Sequence, residues 1–245
     1  MTRPVTRKLP PIVVLCGGRG TRLRDVVADR PKVLADVGGR PFLAHLLDHL
    51  AGQAANQVIL SAGHLGDQLE AFVRAEAFPG LDLRVVIEPT PRGTAGAIRF
   101  AIDTAGAAGN VLALNGDTFF SGSLRLLADR HAATGRVATL AVVRVPDARR
   151  YGTVRFDESS GDVTTFEEKG TSGPGWINAG VYGLSPAALS GVAAGVVASL
   201  EHDVLPALVD RGVTAVPYPE ATFLDIGTPD DYARAGNVLQ PRNAS

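Results

Sequence analysis

The stretch from residue 13 to residue 42, VVLCGGRGTRLRDVVADRPKVLADVGGRPF, combines a glycine-rich turn with two cationic side chains. Gly17, Gly18 and Gly20 occupy three of four successive positions, and Arg22 and Lys32 follow them. Glycine loses side-chain packing and costs conformational entropy, so a turn of this kind indicates that a bare backbone is needed. Because exposed N–H groups in such a turn form an anion cradle, a phosphate is the first candidate ligand.

Neither standard glycine-rich phosphate motif fits this turn. The dinucleotide fingerprint G-x-G-x-x-G fails because Gly20 is followed by Thr21, Arg22 and Leu23. The Walker A loop requires Lys-Ser or Lys-Thr after its last glycine, and no such pair follows. Taken alone, the turn is compatible with a structural role as well as with phosphate binding, and Arg22 alone with a surface ion pair.

The elements that must position this turn alternate between strands and helices. Apolar runs predict strands at residues 11–16, 57–62, 83–88 and 110–115, and helical spacing predicts helices between them at 41–53, 66–78 and 93–105. This alternation predicts a parallel sheet built from βαβ units. Ligands bind outside the carboxyl ends of such strands, so we expect residues 17–21, 88–96 and 115–117 to converge.

The second half follows a different pattern, with strand-like segments joined by short connections. Predicted strands lie at residues 136–146, 151–157, 162–169, 175–184, 213–218 and 222–227, and predicted helices at 199–212 and 228–240. DESSGD (157–162) is typical of a hairpin turn, and Thr228 and Pro229 of a helix N-cap and first position. The predicted fold class is α/β, a Rossmann-like mixed and mostly parallel sheet with a smaller antiparallel part. We expect one domain over residues 11–240, after a tail of residues 1–10.

Composition excludes several classes of protein. The 24 basic and 25 acidic side chains give a net charge of −1, which argues against a nucleic-acid-binding protein. The one cysteine, Cys16, excludes an intramolecular disulfide and a cysteine-based metal cluster, and fits a reducing compartment. No apolar run reaches the roughly 18–20 residues that a membrane span needs, and IVVLC is too short for a signal-peptide core. We expect a cytoplasmic protein that binds neither membrane nor nucleic acid.

The glycine turn and its cations resemble the signature of the sugar-1-phosphate nucleotidyltransferases, roughly (A)-G-G-x-G-T-R-L-x(n)-P-K-x-(L/M). Further matches over almost all of residues 11–235 are GTAGA (93–97), LNGDTFF (114–120), YGTV (151–154), FEEK (166–169), NAGVY (178–182) and LDIGTPDDY (224–232). Within the superfamily, GHLGDQLEAF, LNGDTFF and SLEHDVLP are similar to the bacterial D-glycero-α-D-manno-heptose-1-phosphate guanylyltransferases. The resemblance implies the fold of the nucleotide-diphospho-sugar transferases. One departure is Cys16, where the family usually has Ala and where the backbone is expected to face the nucleotide.

The resemblance implies attack by an oxygen of a sugar 1-phosphate on the α-phosphorus of a nucleoside triphosphate, with release of pyrophosphate. Because both reactants are anionic, the enzyme must neutralise charge and align the attack. By resemblance Asp117 and Asp225 hold Mg²⁺. Arg22 would lie over the β- and γ-phosphates, and Lys32 over the α-phosphate. An isolated aspartate after a glycine is otherwise typical of a turn. No covalent nucleophile is needed, and the five histidines are interpreted as structural or surface residues.

The resemblance also implies which residues contact each substrate. Those assigned to the nucleotide are Leu15, Cys16, Gly17, Gly18, Gly20, Thr21, Arg22, Glu88, Gly93, Thr94 and Asn115. Those assigned to the sugar phosphate are Gly152, Glu168, Lys169 and Asn178. Lys169 would bind the phosphate, and Glu168 would accept hydrogen bonds from ring hydroxyls. In the alternative interpretation, Lys169 only pairs with Glu167 or Glu168 on an exposed strand.

Glu88 bears on the choice of base. In thymidylyl- and uridylyl-transferring relatives a glutamine occupies this position, and its amide suits the O4 and N3–H of a pyrimidine. An ionised glutamate only accepts, and guanine presents N1–H and N2–H₂ side by side. Adenine would place an acceptor against the carboxylate. Glu88 therefore favours GTP if its side chain points at the base; in the alternative interpretation it only ends its strand.

Three functions stay open at this point. The first is a guanylyltransferase acting on a heptose- or mannose-type 1-phosphate. The second is a uridylyl-, thymidylyl- or adenylyltransferase acting on another hexose 1-phosphate. The third is a catalytically silent sugar-nucleotide sensor on the same fold, although a degenerate sensor is expected to lose Arg22, Lys32, Asp117 or Asp225. A homodimer is compatible with each.

Overall fold

The computed structural model describes residues 8–18, 29–167, 169–170 and 172–239. Its first-half strands are β1 (Ile12–Leu15), β2 (Asp36–Val37), β3 (Arg40–Pro41), β4 (Gln57–Ala62), β5 (Asp82–Ile87), β6 (Val111–Asn115) and β7 (Thr118–Phe120). Its second-half strands are β8 (Ala138–Val145), β9 (Thr153–Phe156), β10 (Val163–Glu167), β11 (Gly175–Leu184), β12 (Val213–Pro217) and β13 (Phe223–Asp225). The helices are α1 (Phe42–Gly52), α2 (Gly66–Ala75), α3 (Gly93–Ala105), α4 (Leu124–Thr134), α5 (Leu205–Gly212) and α6 (Pro229–Leu239).

A nine-stranded mixed sheet organises the molecule, with β1 in its interior. The strand order is β10-β9-β11-β6-β1-β4-β5, and β8 bonds to β11 and to β12. β1 is parallel to both β4 and β6, so that Ile12 lies opposite Val58 on one side and Leu112 on the other. β5 is parallel to β4. The predicted parallel arrangement of the four first-half strands is confirmed.

The apolar runs of the central strands are continuous because both faces of the sheet are covered. In β1, Ile12 and Val14 pack in the core that contains Leu46 of α1, whereas Val13 packs with Ile98 of α3 in a second core. All five side chains are fully or almost fully buried. Polar side chains are therefore displaced to the strand ends, where parallel sheets bind ligands.

The strand β11 joins the parallel part of the sheet to the antiparallel part. It pairs antiparallel with β8 along one edge, and along the other edge with β6 and, at Ile177, with β9. Its pairing with β8 is interrupted between Asn178 and Tyr182, and Gly180 within this irregularity has a φ of 68°. A Cβ at Gly180 would lie 2.7 Å from the Nδ2 atom of Asn115, so only glycine permits this close approach at the carboxyl end of β6.

The predicted hairpin turn and the predicted closing helix are both confirmed. The N–H of Asp157 donates to the carbonyl of Asp162 at 2.9 Å, and β9 and β10 pair antiparallel on either side of this turn. The helix α6 begins at Pro229, and the Oγ1 of Thr228 accepts from the N–H of Asp231 at 3.3 Å, as an N-cap does.

Three features of the fold differ from the prediction. The helix α4 was not predicted, although Leu124, Leu127 and Ala128 are buried at helical spacing. The pairs β2–β3 and β7–β13, which were not predicted, form separate two-stranded sheets. The segment 199–212 is a π-helical turn (Leu200–Val204) followed by α5 instead of one helix. None of the helices in the described part of the chain is long and apolar enough to cross a bilayer.

Candidate active site

Two pockets adjoin at the carboxyl ends of the central strands. The first, the glycine pocket, has a volume of about 770 Å³ and is lined by Leu15, Gly17, Gly18, Gly63, His64 and residues 88–94. The second, the polar pocket, has a volume of about 360 Å³, and its lining includes Asn115, Asp117, Lys169, Asn178, Glu201 and Asp225. Leu15 and Asn115 are opposite each other in β1 and β6, so the two pockets meet at this pair of strands. The predicted convergence of the strand ends is thus confirmed for the described residues.

The glycine pocket is formed largely by backbone. Gly18 has a φ of 141° with open space around its Cα, so a side chain there would be strained and would point into unfilled volume. A Cβ at Gly93, which has a φ of 70°, would lie 2.4 Å from the carbonyl oxygen of Ala198. These glycines therefore allow both the backbone conformation and the close packing that shape the pocket.

Glu88 follows β5 and directs its carboxylate to the boundary of the glycine pocket. Its Oε2 accepts from the backbone N–H of Arg92 at 3.1 Å, and its Oε1 lies 3.4 Å from the position of a Cβ on Gly17. Burial raises the pKa of Glu88, and the hydrogen bond from Arg92 opposes that shift. The carboxylate therefore fastens the 88–92 loop, and two ionised oxygens offer acceptor positions beyond the hydrogen bond from Arg92.

Lys32, Asp117 and Asp225 meet at the polar pocket. The Nζ of Lys32 lies 2.7 Å from Oδ2 of Asp117 and 3.9 Å from Oδ1 of Asp225. Asp117 lies between β6 and β7, and Asp225 ends β13, which pairs antiparallel with β7 so that Asp225 is opposite Thr118. The cation and both carboxylates that the sequence analysis assigned to catalysis are thus brought together.

The two carboxylates form a donor set that suits a hard divalent cation. Burial raises the pKa of Asp225, the charge of Asp117 raises it further, and Lys32 opposes both. Positive charge near this pair therefore relieves a cost of holding two carboxylates together. Within the described ranges, no cluster of three or more His, Cys, Asp or Glu side chains could hold a metal ion. Two carboxylates supplemented by water and phosphate oxygens is a common arrangement for Mg²⁺.

A chain of hydrogen-bonded side chains joins the two pockets. Thr94 of the glycine pocket donates through Oγ1 to Oε2 of Glu201 at 2.7 Å, and the hydroxyl of Tyr182 donates to Oε1 of Glu201 at 3.0 Å. Nδ2 of Asn178 donates to the Tyr182 oxygen at 2.9 Å. Burial raises the pKa of Tyr182 well above its ordinary value, and the charge of Glu201 adds to this, so the phenol stays protonated. Tyr182 and Glu201 were not among the predicted site residues, although both stand in segments that carried the resemblance, NAGVY and SLEHDVLP.

The other predicted residues fall into two groups. Gly152 and Lys169 line the polar pocket, and Lys169 is exposed. Its alternative partner Glu167 instead pairs with Arg155 and accepts from Thr153. The second group lies outside the described residues and comprises Gly20, Thr21, Arg22 and Glu168.

Cys16 is buried next to the pockets but does not present its N–H to them. Its N–H donates to the carbonyl of Ser61 at 2.8 Å, which continues the β1–β4 pairing by one residue. A backbone contact between Cys16 and a nucleotide through this N–H is therefore ruled out in this conformation. Burial, and less strongly the charge of Asp117, raises the pKa of the thiol, so it stays protonated.

Known proteins resemble this chain over nearly its full length. A family model described as nucleotidyl transferase matches residues 12–241. The chain is 36% identical to the D-glycero-alpha-D-manno-heptose 1-phosphate guanylyltransferase of Aneurinibacillus thermoaerophilus, over 93% of this chain and 97% of that relative. It is 35% identical to the mannose-1-phosphate guanylyltransferase of Mycobacterium tuberculosis, over 93% of this chain and 64% of that longer relative.

Solved structures show the same fold. HddC from Yersinia pseudotuberculosis, in a crystal structure complexed with GMP-PN, superposes with a TM-score of 0.83 at 31% identity over 95% of this chain and 100% of HddC. A putative glucose-1-phosphate thymidylyltransferase from Bacillus anthracis gives a TM-score of 0.81 at 20% identity, over 96% of this chain and 97% of that chain. The signature residues at two adjoining pockets and the match over residues 12–241 together place the protein in the nucleotidyl transferase family.

Proposed function

We propose that this protein transfers GMP from GTP to a heptose- or mannose-type 1-phosphate, giving a GDP-sugar and pyrophosphate. The observation that carries the proposal is the meeting of Lys32 with Asp117 and Asp225 at the polar pocket, next to the glycine pocket. The names of the relatives, guanylyltransferases for heptose 1-phosphate and mannose 1-phosphate, support the choice of substrates. The binding of GMP-PN by HddC supports a guanine nucleotide.

In this proposal the glycine pocket holds the nucleotide. Gly17, Gly18 and Gly93 present backbone without obstructing side chains, and Gly20, Thr21 and Arg22, which lie outside the described residues, are assigned the remaining phosphate contacts. Leu15, Cys16, Thr94 and Asn115 complete the nucleotide site. The 770 Å³ volume suits a nucleotide, since ligand pockets commonly measure about 300–1,000 Å³. Glu88 accepts from N1–H and N2–H₂ of guanine with the lone pairs that Arg92 leaves available.

The polar pocket holds the sugar 1-phosphate. Lys169, exposed at its rim, pairs with the phosphate, while Gly152, Glu168 and Asn178 contact the sugar. A phosphate oxygen of this substrate attacks the α-phosphorus of GTP. The bond from the α-phosphorus to the bridging oxygen breaks, and its electron pair leaves with pyrophosphate. Lys32 neutralises charge that develops on the α-phosphoryl oxygens, and Arg22 neutralises the leaving group.

Asp117 and Asp225 would hold Mg²⁺. When bound there, the ion supplies charge neutralisation for the phosphates and polarises the attacked phosphorus. The two carboxylates hold the geometry by their positions at the ends of β6 and β13. The pair also keeps Lys32 close to the reaction site.

We further propose that residues 11–240 act as one domain and that the chain is able to form a homodimer. The continuity of one sheet from β1 to β12 supports the single domain. A GTP substrate and one reduced cysteine favour a cytoplasmic location.

The decisive experiment is a panel of sugar 1-phosphates against GTP, ATP, UTP and dTTP, read by pyrophosphate release. We expect turnover with GTP and with a heptose or mannose 1-phosphate. Turnover confined to UTP, dTTP or ATP would support the alternative nucleotidyltransferases. Nucleotide binding in calorimetry without pyrophosphate from any pair would support the silent sensor.

A further inference from the structure

Glu201 accepts hydrogen bonds from residues of both pockets. It lies in the π-helical turn Leu200–Val204, half-buried between α3 and β11. Its Oε2 accepts from Thr94 at 2.7 Å and from Ser199 at 3.2 Å, and its Oε1 accepts from Tyr182 at 3.0 Å. Three donors converge on one carboxylate, which is an arrangement that an ionised acceptor-only group satisfies.

On the sugar side, the hydrogen-bond directions are fixed by groups that can only donate. The backbone N–H of Gly180 donates to Oδ1 of Asn178 at 2.9 Å, so the amide must turn Nδ2 toward Tyr182. The tyrosine oxygen therefore accepts from Asn178, and its own proton goes to Glu201. Gly180 thus fixes which way the Asn178 amide is turned, and Glu201 supports that amide by accepting the proton of the phenol between them.

On the nucleotide side, the Thr94 hydroxyl is committed in the same way. It accepts from the N–H of Leu200 at 2.7 Å and gives its single proton to Glu201. This pair of hydrogen bonds fastens the first turn of α3 to the π-helical turn. The backbone at Gly93 and Thr94, which lines the glycine pocket, is held in place by that link.

We propose that Glu201 is a positioning residue for both substrates: it holds Thr94 at the nucleotide pocket and, through Tyr182, Asn178 at the sugar pocket. This inference rests on the proposed function, because it assigns one pocket to each substrate. It predicts that the hydrogen bonds of Glu201 to the two sides can be broken separately, since Tyr182 lies only on the sugar side and Thr94 only on the nucleotide side.

A carboxylate is needed at position 201, and a glutamine of the same size does not replace it. The amide of Glu201→Gln has one acceptor oxygen and one donor nitrogen, whereas both sides of the site supply donors. If the nitrogen faces Tyr182, the phenol proton has no acceptor; if it faces Thr94, the threonine proton has none. A buried polar group without a partner is costly, so the local geometry relaxes.

The test measures KM for each substrate, kcat and the thermal midpoint in four variants. Glu201→Gln is expected to raise KM for both substrates by about tenfold, the effect of one lost partner in a buried hydrogen-bond network. Tyr182→Phe is expected to raise KM for the sugar 1-phosphate by a similar factor and to leave KM for GTP within about twofold. Thr94→Val is expected to do the reverse. The double variant Glu201→Gln/Tyr182→Phe should have the same KM for the sugar 1-phosphate as Glu201→Gln alone, because both changes break the same hydrogen bond on the sugar side.

The matched control is Tyr218→Phe. Tyr218 is also buried, and its hydroxyl donates to the carbonyl of Ser123 at 2.8 Å, outside both pockets. It should lower the thermal midpoint about as much as Tyr182→Phe does, with both KM values unchanged. Equal KM changes in Tyr182→Phe and Tyr218→Phe would mean that Glu201 and Tyr182 only stabilise the fold, and would overturn the proposal.

Two further outcomes separate this inference from the proposed function. If wild type turns over but Glu201→Gln and Tyr182→Phe keep wild-type KM values, the inference is wrong and the proposed function stands. If wild type releases no pyrophosphate with any substrate pair, the proposed function fails. Glu201 is then tested by calorimetry with a non-hydrolysable GTP analogue and mannose 1-phosphate: weaker binding of both to Glu201→Gln supports the positioning role, and unchanged binding overturns it.

Discussion

The glycine pocket and the polar pocket differ in what they are made of. The first is shaped largely by the backbone of glycines, including Gly17, Gly18 and Gly93. The second is shaped by ionic and hydroxyl side chains that bond to one another across long sequence distances. Lys32 and Asp117 are 85 positions apart, and Thr94 and Glu201 at the boundary are 107 apart.

This difference predicts which kind of substitution each pocket tolerates. A pocket formed by close-packed backbone is damaged by added atoms, because overpacking forces the chain to move. A pocket formed by interlinked polar side chains is damaged by removed atoms, because each deletion leaves a partner unsatisfied. The predictions below test this contrast.

The largest effect is expected from removal of charge in the polar pocket. Asp117→Asn and Asp225→Asn keep the side-chain volume but remove a carboxylate beside Lys32, so kcat should fall by about 10²- to 10³-fold with the fold retained. Pyrophosphate release at saturating substrates measures this, and EDTA should inactivate wild type. Asp129→Asn, on the exposed side of α4, serves as the control. Full activity of either active-site variant, or of wild type in EDTA without added metal, would contradict the metal assignment.

Lys32, which contacts the two aspartates of the polar pocket, and Lys169, which lines that pocket, should separate rate from affinity. Lys32→Ala should lower kcat by about 100-fold, since it removes a charge held against both carboxylates. Lys169→Ala should leave kcat nearly unchanged and raise KM for the sugar 1-phosphate by about tenfold, on the scale of one charge-assisted hydrogen bond. Initial rates with each substrate varied in turn measure both effects. A Lys169→Ala variant that weakens GTP binding alone would show that the pocket assignments are wrong.

Added atoms should weaken GTP binding when they are placed in the glycine pocket and leave it unchanged when they are placed elsewhere. Gly18→Val places a side chain in the open volume proposed for the nucleotide and should weaken GTP binding by about 100-fold, because the added atoms occupy space that the ligand needs. Gly80→Val is the matched control, because Gly80 also has a positive φ, of 88°, and open surroundings but lies outside both pockets. Both variants should lose stability in thermal unfolding, and calorimetry should show lost GTP affinity in Gly18→Val alone. Equal GTP affinities would count against the nucleotide assignment.

Glu88, whose carboxylate is fastened at the boundary of the glycine pocket, should decide base preference. Glu88→Gln replaces an acceptor by a donor, so the preference for GTP over UTP should fall by about tenfold, within the 1–3 kcal/mol typical of a lost partner. The pKa of Glu88 is raised by burial, so protonation removes the acceptor as pH falls through that raised pKa. Wild-type GTP affinity should therefore decline toward acid pH, while Glu88→Gln stays flat. Unchanged discrimination in the variant would mean that Glu88 only fastens the loop at Arg92.

The smallest effect is expected at Cys16, which is buried next to the glycine pocket and the polar pocket. Its raised pKa keeps the thiol protonated, and its N–H is already bonded to Ser61. Cys16→Ala should keep kcat and both KM values within about twofold and lower the free energy of unfolding by about 1 kcal/mol. Wild type should resist alkylation by iodoacetamide at neutral pH. Rapid alkylation with loss of activity would show that the thiol is accessible.

The contrast between the pockets also separates what was predictable from what was not. The strand at 57–62 and the helix at 93–105 have the bounds predicted from apolar periodicity, because both patterns are local. The glycine turn after β1 and the polar residues after β6 were predictable as a ligand edge, because parallel strands end together. The helix α4 has an equally clear pattern, with Leu124, Leu127 and Ala128 buried, and was still not predicted.

Other features have no local signal. The π-helical turn that carries Glu201 depends on hydrogen bonds from outside the turn, such as the one between Leu200 and Thr94. The sheet β7–β13 joins residues that are about a hundred positions apart, and its two strands are three residues long. Short strands and irregular turns are stabilised by tertiary contact more than by propensity, so composition does not reveal them.

The sequence by itself determined the βαβ order of the first half, the bare backbone after β1 and the carboxylates at strand ends, because each depends on residue type and near neighbours. The tertiary structure alone decided that Lys32 lies 2.7 Å from Asp117 and 3.9 Å from Asp225, and that Glu201 reaches both Thr94 and Tyr182. Contacts of this kind depend on which strands lie next to one another in the folded sheet. A hydrogen bond acts over about 3 Å, whereas periodicity constrains only neighbours along the chain.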